Sequence, residues 1–152
     1  LEAASRHLKL PMVRNCTYLV MEGPQFSTLA ESNLYRQWGC DVIGMTNMPE
    51  AKLAREAEIC YASVAMVTDF DCWHPDHDAV TVDAIVKVLL ANAENARSLV
   101  KAVTPALAAD TRGAACACRH ALEHALITAP QARDPELAKQ LAAVAGRVLS
   151  RG

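Results

Sequence analysis

Two carboxylates, Asp69 and Asp71, follow an apolar run in the middle of the chain and are separated by one residue. The run over residues 59–67 predicts a buried strand, so both acids would stand at its carboxyl end. Residues two apart in an extended chain point to the same face, and open αβ sheets bind ligands beyond the carboxyl ends of their strands. Two like charges at short range drive their pKa values apart, so one acid is expected to hold a proton near neutral pH.

The Asp-x-Asp pair also has simpler interpretations. Such pairs occur in turns, where the acids cap a following helix, and as ligands of divalent cations. Taken alone, the pair favours one of these over an acid–base site.

Length and charge exclude several classes of protein. The chain has 152 residues, a net charge of −2 and 52% hydrophobic residues, which fits one domain with a sizeable core. The weak charge argues against binding to nucleic acid or to a membrane surface, and no apolar run is long enough to span a bilayer. No signal peptide is visible, and the six cysteines are irregularly spaced. We therefore expect a cytoplasmic protein with free thiols.

Cys116 and Cys118 form a C-x-C pair that is followed by His120 and His124. The two histidines lie four residues apart on an expected helix, a spacing that metal sites use. A second cysteine pair is missing from the sequence pattern. The pattern therefore favours ordinary helix residues, or an occasional disulfide, over a zinc site.

The elements that must position the acid pair alternate between strand and helix. Strands are predicted over residues 16–21, 41–45 and 59–67. Ser27 or Thr28 is expected to cap a helix, Thr28 forming a capping box with Glu31, and this helix ends near Trp38, before Gly39. Pro49 suits the first turn of the next helix.

The rest of the chain is helical in pattern. Thr81 caps a helix over about 82–103, which Pro105 is expected to break. Further helices are predicted over about 114–126 and from the cap Asp134, with Pro135 in its first turn, to about 149. The fold class is α/β: a mixed twisted sheet flanked by helices, with a helical C-terminal extension over 114–152.

Six short motifs between residues 18 and 86 occur in a fixed order: Glu22-Gly-Pro-Gln-Phe-Ser-Thr, Ala30-Glu-Ser, Asp41-Val-Ile-Gly-Met-Thr, Met48-Pro-Glu, Ala54-Arg-Glu and Ala65-Met-Val-Thr-Asp-Phe-Asp-Cys-Trp. In order and spacing, these motifs resemble the purine nucleoside phosphorylase superfamily, and within it the 5′-methylthioadenosine phosphorylases. The resemblance implies the fold of that family. Beyond residue 103 it is loose.

The resemblance covers only the back half of the family's chain. The front half carries a glycine-rich strand end and further phosphate contacts, which this sequence does not contain. We therefore expect the N-terminal portion of the same protein to be a partner of this chain. We do not expect the chain to be active alone.

Members of the family cleave the N-glycosidic bond of a nucleoside with phosphate as nucleophile. For this branch, the resemblance implies a transferase that converts 5′-methylthioadenosine to adenine and 5-methylthioribose 1-phosphate, in purine and methionine salvage. Phosphate is the co-substrate, and no cofactor or metal is expected.

By resemblance, Asp71 faces N7 of the purine and Asp69 faces the 6-amino group. An ionised carboxylate only accepts hydrogen bonds, so Asp69 would accept from an amino group and repel a 6-oxo group. Asp71, protonated because of burial and the nearby charge, would donate to N7 as general acid. The pair therefore favours adenine, whereas an amide in place of Asp71 would better suit a 6-oxopurine.

The resemblance assigns further contacts to residues that have ordinary structural interpretations as well. It implies that Thr46 binds phosphate, although a threonine after a strand often only caps a helix. Substrate-binding residues would be Phe26, Ile43, Met45, Val82 and Ile85, the last two lining the pocket for the 5′-methylthio group. Without the family match, a core role is about as well supported for Met45, ordinary helix packing is favoured for Val82 and Ile85, and Phe26 would only fill the core. His74 and His77 are expected to be solvated histidines of the intervening loop.

In this family, active sites lie near subunit contacts, and a C-terminal segment reaches a neighbouring subunit. Residues 125–130 are the candidate for that segment, and a homotrimer is the expected assembly.

Three alternative functions stay open. They are a nucleoside phosphorylase acting on adenosine or 6-oxopurine nucleosides, an inactive purine-binding fragment, and a metal-dependent hydrolase using Asp69, Asp71 and nearby histidines.

Overall fold

The computed structural model describes residues 1–74, 82–110 and 115–150. The chain divides into two compact units, each described by itself below. The first comprises residues 1–45 and 64–110, and the second comprises residues 46–63 and 111–152.

The part of the first unit that the structure describes contains two strands and three helices: α1 (Glu2–His7), β1 (Tyr18–Val20), α2 (Leu29–Gln37), β2 (Val42–Gly44) and α4 (Val82–Ala108). The strands pair in parallel, with Leu19 opposite Ile43. At one end of the pair the Asp41 carboxylate accepts a hydrogen bond from the Thr17 amide at 2.6 Å. A strand–helix–strand unit with a parallel pair confirms the α/β class. In the described part of the chain the sheet has these two strands.

The apolar centre of the first unit lies on α4, which packs against α1. Leu99 and Val103, one helical turn apart, are buried. Ser5 of α1 is buried as well, and its hydroxyl donates to the carbonyl of Leu10 at 3.0 Å. The buried Ser5 hydroxyl therefore has a hydrogen-bond partner, which avoids the cost of an unpaired buried polar group.

Among its described residues, the second unit contains α3 (Asn47–Glu56), the short 3₁₀ helices Ala117–His120 and Pro130–Ala132, and α5 (Pro135–Leu149). Asp134 caps α5 by accepting from the amides of Glu136 and Leu137 at 2.8 and 2.9 Å. Pro135 occupies the first position of that helix, where its missing N–H costs nothing. Both features of α5 agree with the sequence prediction.

Helices α1, α2 and α3 end in the same way, with a residue in the left-handed region after the cap. These residues are Lys9 (φ 55°), Gly39 (φ 77°) and Glu58 (φ 56°). After α3, the amide of Ile59 returns to the carbonyl of Ala54 at 2.8 Å, and that of Glu58 to Arg55 at 3.1 Å. This is a Schellman motif, in which glycine is the favoured left-handed residue. A glutamate at that position adopts a conformation that its side chain disfavours.

Three sequence predictions about the elements are wrong in part. Residues 59–67 form no strand; the carbonyl of Val67 accepts from the Asn92 side chain at 2.9 Å, and neither described strand pairs with this stretch. An apolar run becomes a strand only where a neighbour supplies the ladder of hydrogen bonds.

The second concerns Pro105, which lies inside α4 and does not break it, since the helix continues to Ala108. Only one turn follows the proline, so the loss is confined to a single backbone hydrogen bond near the helix end.

The third is the helix expected over 114–126. Its described part contains the 3₁₀ helix Ala117–His120 followed by turns. The amide of Leu122 donates to the Glu58 carboxylate at 3.0 Å. In an α-helix, this amide would donate to the carbonyl four residues earlier. Here it donates to a residue that is distant in sequence.

Candidate active site

Asp71 is held by donors from α2 and from the loop before it. The buried hydroxyl of Ser32 donates a very short hydrogen bond to Asp71 Oδ2, and Ser27 Oγ donates to the same oxygen at 3.2 Å. The Cys72 amide donates to Oδ1 at 2.8 Å. Both oxygens of the carboxylate are therefore engaged, and its orientation is set by the protein.

The position of Ser32 follows from the start of α2. Thr28 caps the helix, its hydroxyl accepting from the Glu31 amide at 3.3 Å while the Glu31 carboxylate accepts from the Thr28 amide at 2.7 Å. This capping box confirms the sequence prediction. These hydrogen bonds lower the pKa of Glu31, the backbone bond from Thr28 being the larger cause. Ser32 lies in the first turn that the box defines, and it is 1% exposed.

The hydrogen bonds decide the charge of Asp71. Burial is the largest single influence and raises its pKa, but the bonds from Ser32, Cys72 and Ser27 together outweigh it, so the pKa lies below its ordinary value. The hydrogen bonds therefore favour the ionised form of Asp71 in the chain as described, and its role as a general acid stays a prediction. Its carboxylate is an acceptor, because three donors already point at it.

Asp69 has a different environment. It is exposed, and its Oδ1 accepts from Thr68 Oγ1 at 2.7 Å. One acid of the pair is thus oriented within the first unit, while the other presents its carboxylate to solvent. An exposed carboxylate acceptor is suited to pair with an amino group of a ligand.

The loop between β1 and α2 brings predicted site residues together. Gly23, at φ 76°, lies against the Met45 side chain so closely that an added Cβ would stand 2.9 Å from its sulfur. Four residues later, Ser27 contacts Asp71. Phe26 stands between these contacts and is 84% exposed, so it does not fill the core. The loop therefore links the half-buried Met45 to the acid.

Ile43 and Thr46 lie at and after the end of β2. Ile43 is half-buried within the strand. Thr46 belongs to the second unit, precedes α3 and is exposed, and its side chain makes no capping hydrogen bond. The hydroxyl of Thr46 therefore does not cap α3.

Three aromatic side chains lie between and after the two acids in sequence. Trp73 meets Phe70 edge-on at 6.1 Å between ring centroids, and His74 stacks against Phe70 at 4.7 Å. The Arg36 guanidinium of α2 lies 3.8 Å from the centroid of a Trp73 ring. This cation–π contact ties the segment after Asp71 to the same helix that supplies Ser32.

Other predicted site residues lie outside the described part of the structure. They are His77, together with the side chains of Val82 and Ile85 at the start of α4. Among the helices that are described, none is both long and apolar enough to cross a membrane.

Sequence reasoning assigned no role to Ser32 or Arg36. Ser32 stands inside a quoted motif, Ala30-Glu-Ser, but nothing in its spacing distinguishes it from a solvent-facing helical serine. Its function as a donor depends on a carboxylate 39 positions away.

Comparison with known proteins identifies the family. Residues 1–105 match the family model of the phosphorylase superfamily. The S-methyl-5′-thioadenosine phosphorylase of Rhodospirillum rubrum is 66% identical over 142 residues, which are 93% of this chain and 48% of that protein. The protein of the same name from Bradyrhizobium diazoefficiens is 60% identical over 149 residues, 98% of this chain and 51% of its own length. The chain spans about half the length of the curated relatives that it matches.

Solved structures agree with these relatives. A methylthioadenosine phosphorylase from an antarctic soil metagenomic library superposes with a TM-score of 0.76 at 49% identity, over 85% of this chain and 44% of that one. The Schistosoma mansoni methylthioadenosine phosphorylase in complex with adenine has a TM-score of 0.66 at 29% identity, over 79% of this chain and 48% of that one. On the family model and these relatives, the chain belongs to the phosphorylase superfamily.

Proposed function

We propose that the full-length protein carrying this chain is a 5′-methylthioadenosine phosphorylase. The observation that carries the proposal is identity of 60 to 66% with S-methyl-5′-thioadenosine phosphorylases over nearly the whole chain. The reaction would yield adenine and 5-methylthioribose 1-phosphate. The geometry fits this role, because an oriented carboxylate and an exposed one are the two groups that recognition of an adenine edge requires.

In the proposed reaction, a phosphate oxygen bonds to C1′ of the ribose as the bond from C1′ to N9 breaks. The bonding electron pair goes to the purine, which must gain a proton or a hydrogen bond at N7 to leave. Asp71 would supply that proton. Since the hydrogen bonds favour its ionised form in the chain as described, Asp71 would first take up a proton from solvent as the purine covers it.

Covering of the carboxylate by the purine would favour this uptake, against the hydrogen bonds that lower the pKa of Asp71 in the chain as described. Among the separate influences on the pKa of Asp71, burial is the largest, and it raises that pKa. A purine ring that excludes water from the carboxylate would add to this influence and disfavour the charged form. Ser32 and Ser27 would keep Oδ2 in place while the proton is exchanged.

We assign the remaining contacts by the same proposal. Asp69 would accept from the 6-amino group, Phe26, Ile43 and Met45 would contact base and ribose, and Thr46 would bind phosphate. Val82 and Ile85 would line the 5′ pocket. The assignment of Thr46 is supported because its hydroxyl caps no helix. The assignment of Phe26 is supported because its side chain is exposed and can contact a ligand.

The assembly is also a proposal. We assign the N-terminal portion of the protein and a homotrimer as partners of this chain, and the cytoplasm as its location. Large apolar side chains that are exposed in the chain support a covering partner; Ile127, inside the segment 125–130, is 96% exposed. Size-exclusion chromatography with light scattering on the full-length protein tests the trimer, which a monomeric mass would contradict.

Adenosine is a second candidate substrate. A solved neighbour is described as an adenosine/methylthioadenosine phosphorylase from Schistosoma mansoni, with a TM-score of 0.63 at 29% identity. Both nucleosides present the same adenine edge to Asp69 and Asp71, so the acid pair does not separate them. Only the 5′ pocket would do so, and an apolar pocket rejects a hydroxyl weakly.

The test follows adenine release from 5′-methylthioadenosine by the full-length protein, with and without phosphate. We expect release only with phosphate, a strong loss in Asp71→Ala, and full activity in Glu136→Ala, which removes an exposed acid of α5. Release without phosphate would indicate a hydrolase and overturn the role of Thr46. Turnover of inosine in place of the methylthio substrate would overturn the assignment of the acid pair.

A further inference from the structure

Three cysteines from two distant stretches of the second unit converge. Cys60 follows the end of α3, and Cys116 and Cys118 flank the start of the 3₁₀ helix Ala117–His120. Their three sulfur atoms all lie within 4.8 Å of one another. All three thiols are free, Cys60 being exposed and the other two half-buried. The sequence showed only the C-x-C pair; the fold adds the third thiol.

We propose that Cys60, Cys116 and Cys118 bind a thiophilic d¹⁰ metal ion, Zn²⁺ being the ion that this geometry suits. A tetrahedral zinc lies about 2.3 Å from each thiolate sulfur, which places such sulfurs roughly 3.8 Å apart. The observed cluster needs only a small contraction to reach that spacing. Soft thiolate ligands select zinc or copper(I) over magnesium and calcium.

The balance of the binding step is simple. Three S–H bonds break, three S–Zn bonds form, and the protons go to solvent without any oxidation or reduction. The resulting site carries a net charge of −1, and the Arg119 guanidinium acts on Cys116 as a nearby positive charge. A water molecule would complete the tetrahedron, as in other zinc sites with three protein ligands.

The ion would join the segment after α3 to the segment around residues 116–120. Glu58, two positions before Cys60, already receives the Leu122 amide from that second segment. The metal would thus reinforce an existing contact inside the second unit. It takes no part in the proposed phosphorolysis, so failure of one proposal leaves the other intact.

The experiment uses reduced, full-length protein incubated with Zn²⁺ and desalted before elemental analysis. We expect one zinc per chain, three thiols protected from a thiol reagent, and a raised melting temperature. Cys60→Ser, Cys116→Ser and Cys118→Ser should each weaken zinc binding by roughly 100-fold or more, since even outer-shell changes cost 10- to 100-fold. Cys16→Ser and Cys40→Ser, which remove thiols outside the cluster, should bind zinc like the wild type.

Substitution with Co²⁺ provides a measurement that does not depend on folding of a variant. Thiolate-to-cobalt charge-transfer absorption in the wild type would support three-sulfur ligation. Absence of that absorption together with no retained zinc would overturn the proposal. So would a mass lower by two hydrogens in the freshly isolated protein, with the peptide pair Cys60–Cys116 or Cys60–Cys118 linked, since a disulfide would then be the resting state of the cluster.

Discussion

The hydroxyl of Ser32 donates to Oδ2 of Asp71, and this hydrogen bond joins the start of α2 to the candidate acid. Ser32 is 1% exposed and Asp71 is half-buried, so the bond is partly shielded from water. A shielded donor stabilises the ionised carboxylate more than the protonated one. Ser32 is therefore a positioning residue that sets both the orientation and the charge of Asp71.

Ser32→Ala should raise the pKa of Asp71, because the closest of its donors is removed. The carboxyl group also loses a contact that orients it, and since a misplacement of about 1 Å can cost 10²-fold, we expect a roughly 10- to 100-fold loss in kcat/KM. The pH profile of kcat/KM, measured with 5′-methylthioadenosine, should shift to higher pH. Ser27→Ala removes a longer bond to the same oxygen and should shift the profile less. An unshifted profile in Ser32→Ala would show that the serine only fills space.

Asp71→Asn keeps the shape of the side chain and removes its ability to supply a proton. General acid catalysis contributes about 10²- to 10⁴-fold, and we expect a loss of that size in kcat with 5′-methylthioadenosine. The amide can donate to a 6-oxo group or to N7, so turnover of inosine relative to the methylthio substrate should rise. Steady-state kinetics with both nucleosides tests this. Equal losses on the two substrates would contradict a role in selecting the base.

Gly44 lies against the hydroxyl end of the Tyr18 side chain on the neighbouring strand. A Cβ at this position would stand 1.9 Å from Tyr18 Oη and 2.9 Å from Cζ, so Gly44→Ala must displace the ring. We expect destabilisation of about 1–3 kcal/mol, measured by denaturant unfolding.

Two further variants show whether the Tyr18 ring is the cause. Gly146→Ala in α5, where the new Cβ meets only an ordinary contact at 4.0 Å, should instead stabilise by about 0.5–1 kcal/mol. The double variant Gly44→Ala/Tyr18→Ala should recover part of the loss. No recovery would mean that the clash does not explain the effect.

Glu58 should make stability depend on acid pH. The Arg147 guanidinium donates to both its oxygens, at 2.7 and 2.5 Å, and lowers its pKa to about 2. Because the folded pKa lies below the unfolded value of about 4.3, the ion pair stabilises the fold above that value. Its contribution is lost as the pH falls from there through about 2.

Glu58→Gln keeps the left-handed backbone and removes the charge. Its melting temperature should lie below that of the wild type at pH 7, and the difference should disappear as the pH approaches 2. Thermal unfolding across this range provides the measurement. A constant difference at every pH would show that the charge of Glu58 does not stabilise the fold.

Local signals were sufficient where one stretch of chain contains the whole structure. The capping box at Thr28, the end of α2 at Gly39 and the cap Asp134 all follow from a few adjacent residues, and the structure confirms them. Motif order likewise identified the family, because it depends on spacing along the chain and not on packing.

Tertiary structure decided what depends on distant partners. The run 59–67 has the composition of a strand but no described strand pairs with it, and the helix expected near Leu122 is replaced by a bond to Glu58. The pKa of Asp71 depends on donors that include Ser32 on α2 and Ser27 in the loop before it, and the third thiol of the cysteine cluster comes from beyond α3. Composition and spacing describe what a residue can do, whereas its partners, which only folding brings within a few ångströms, decide what it does.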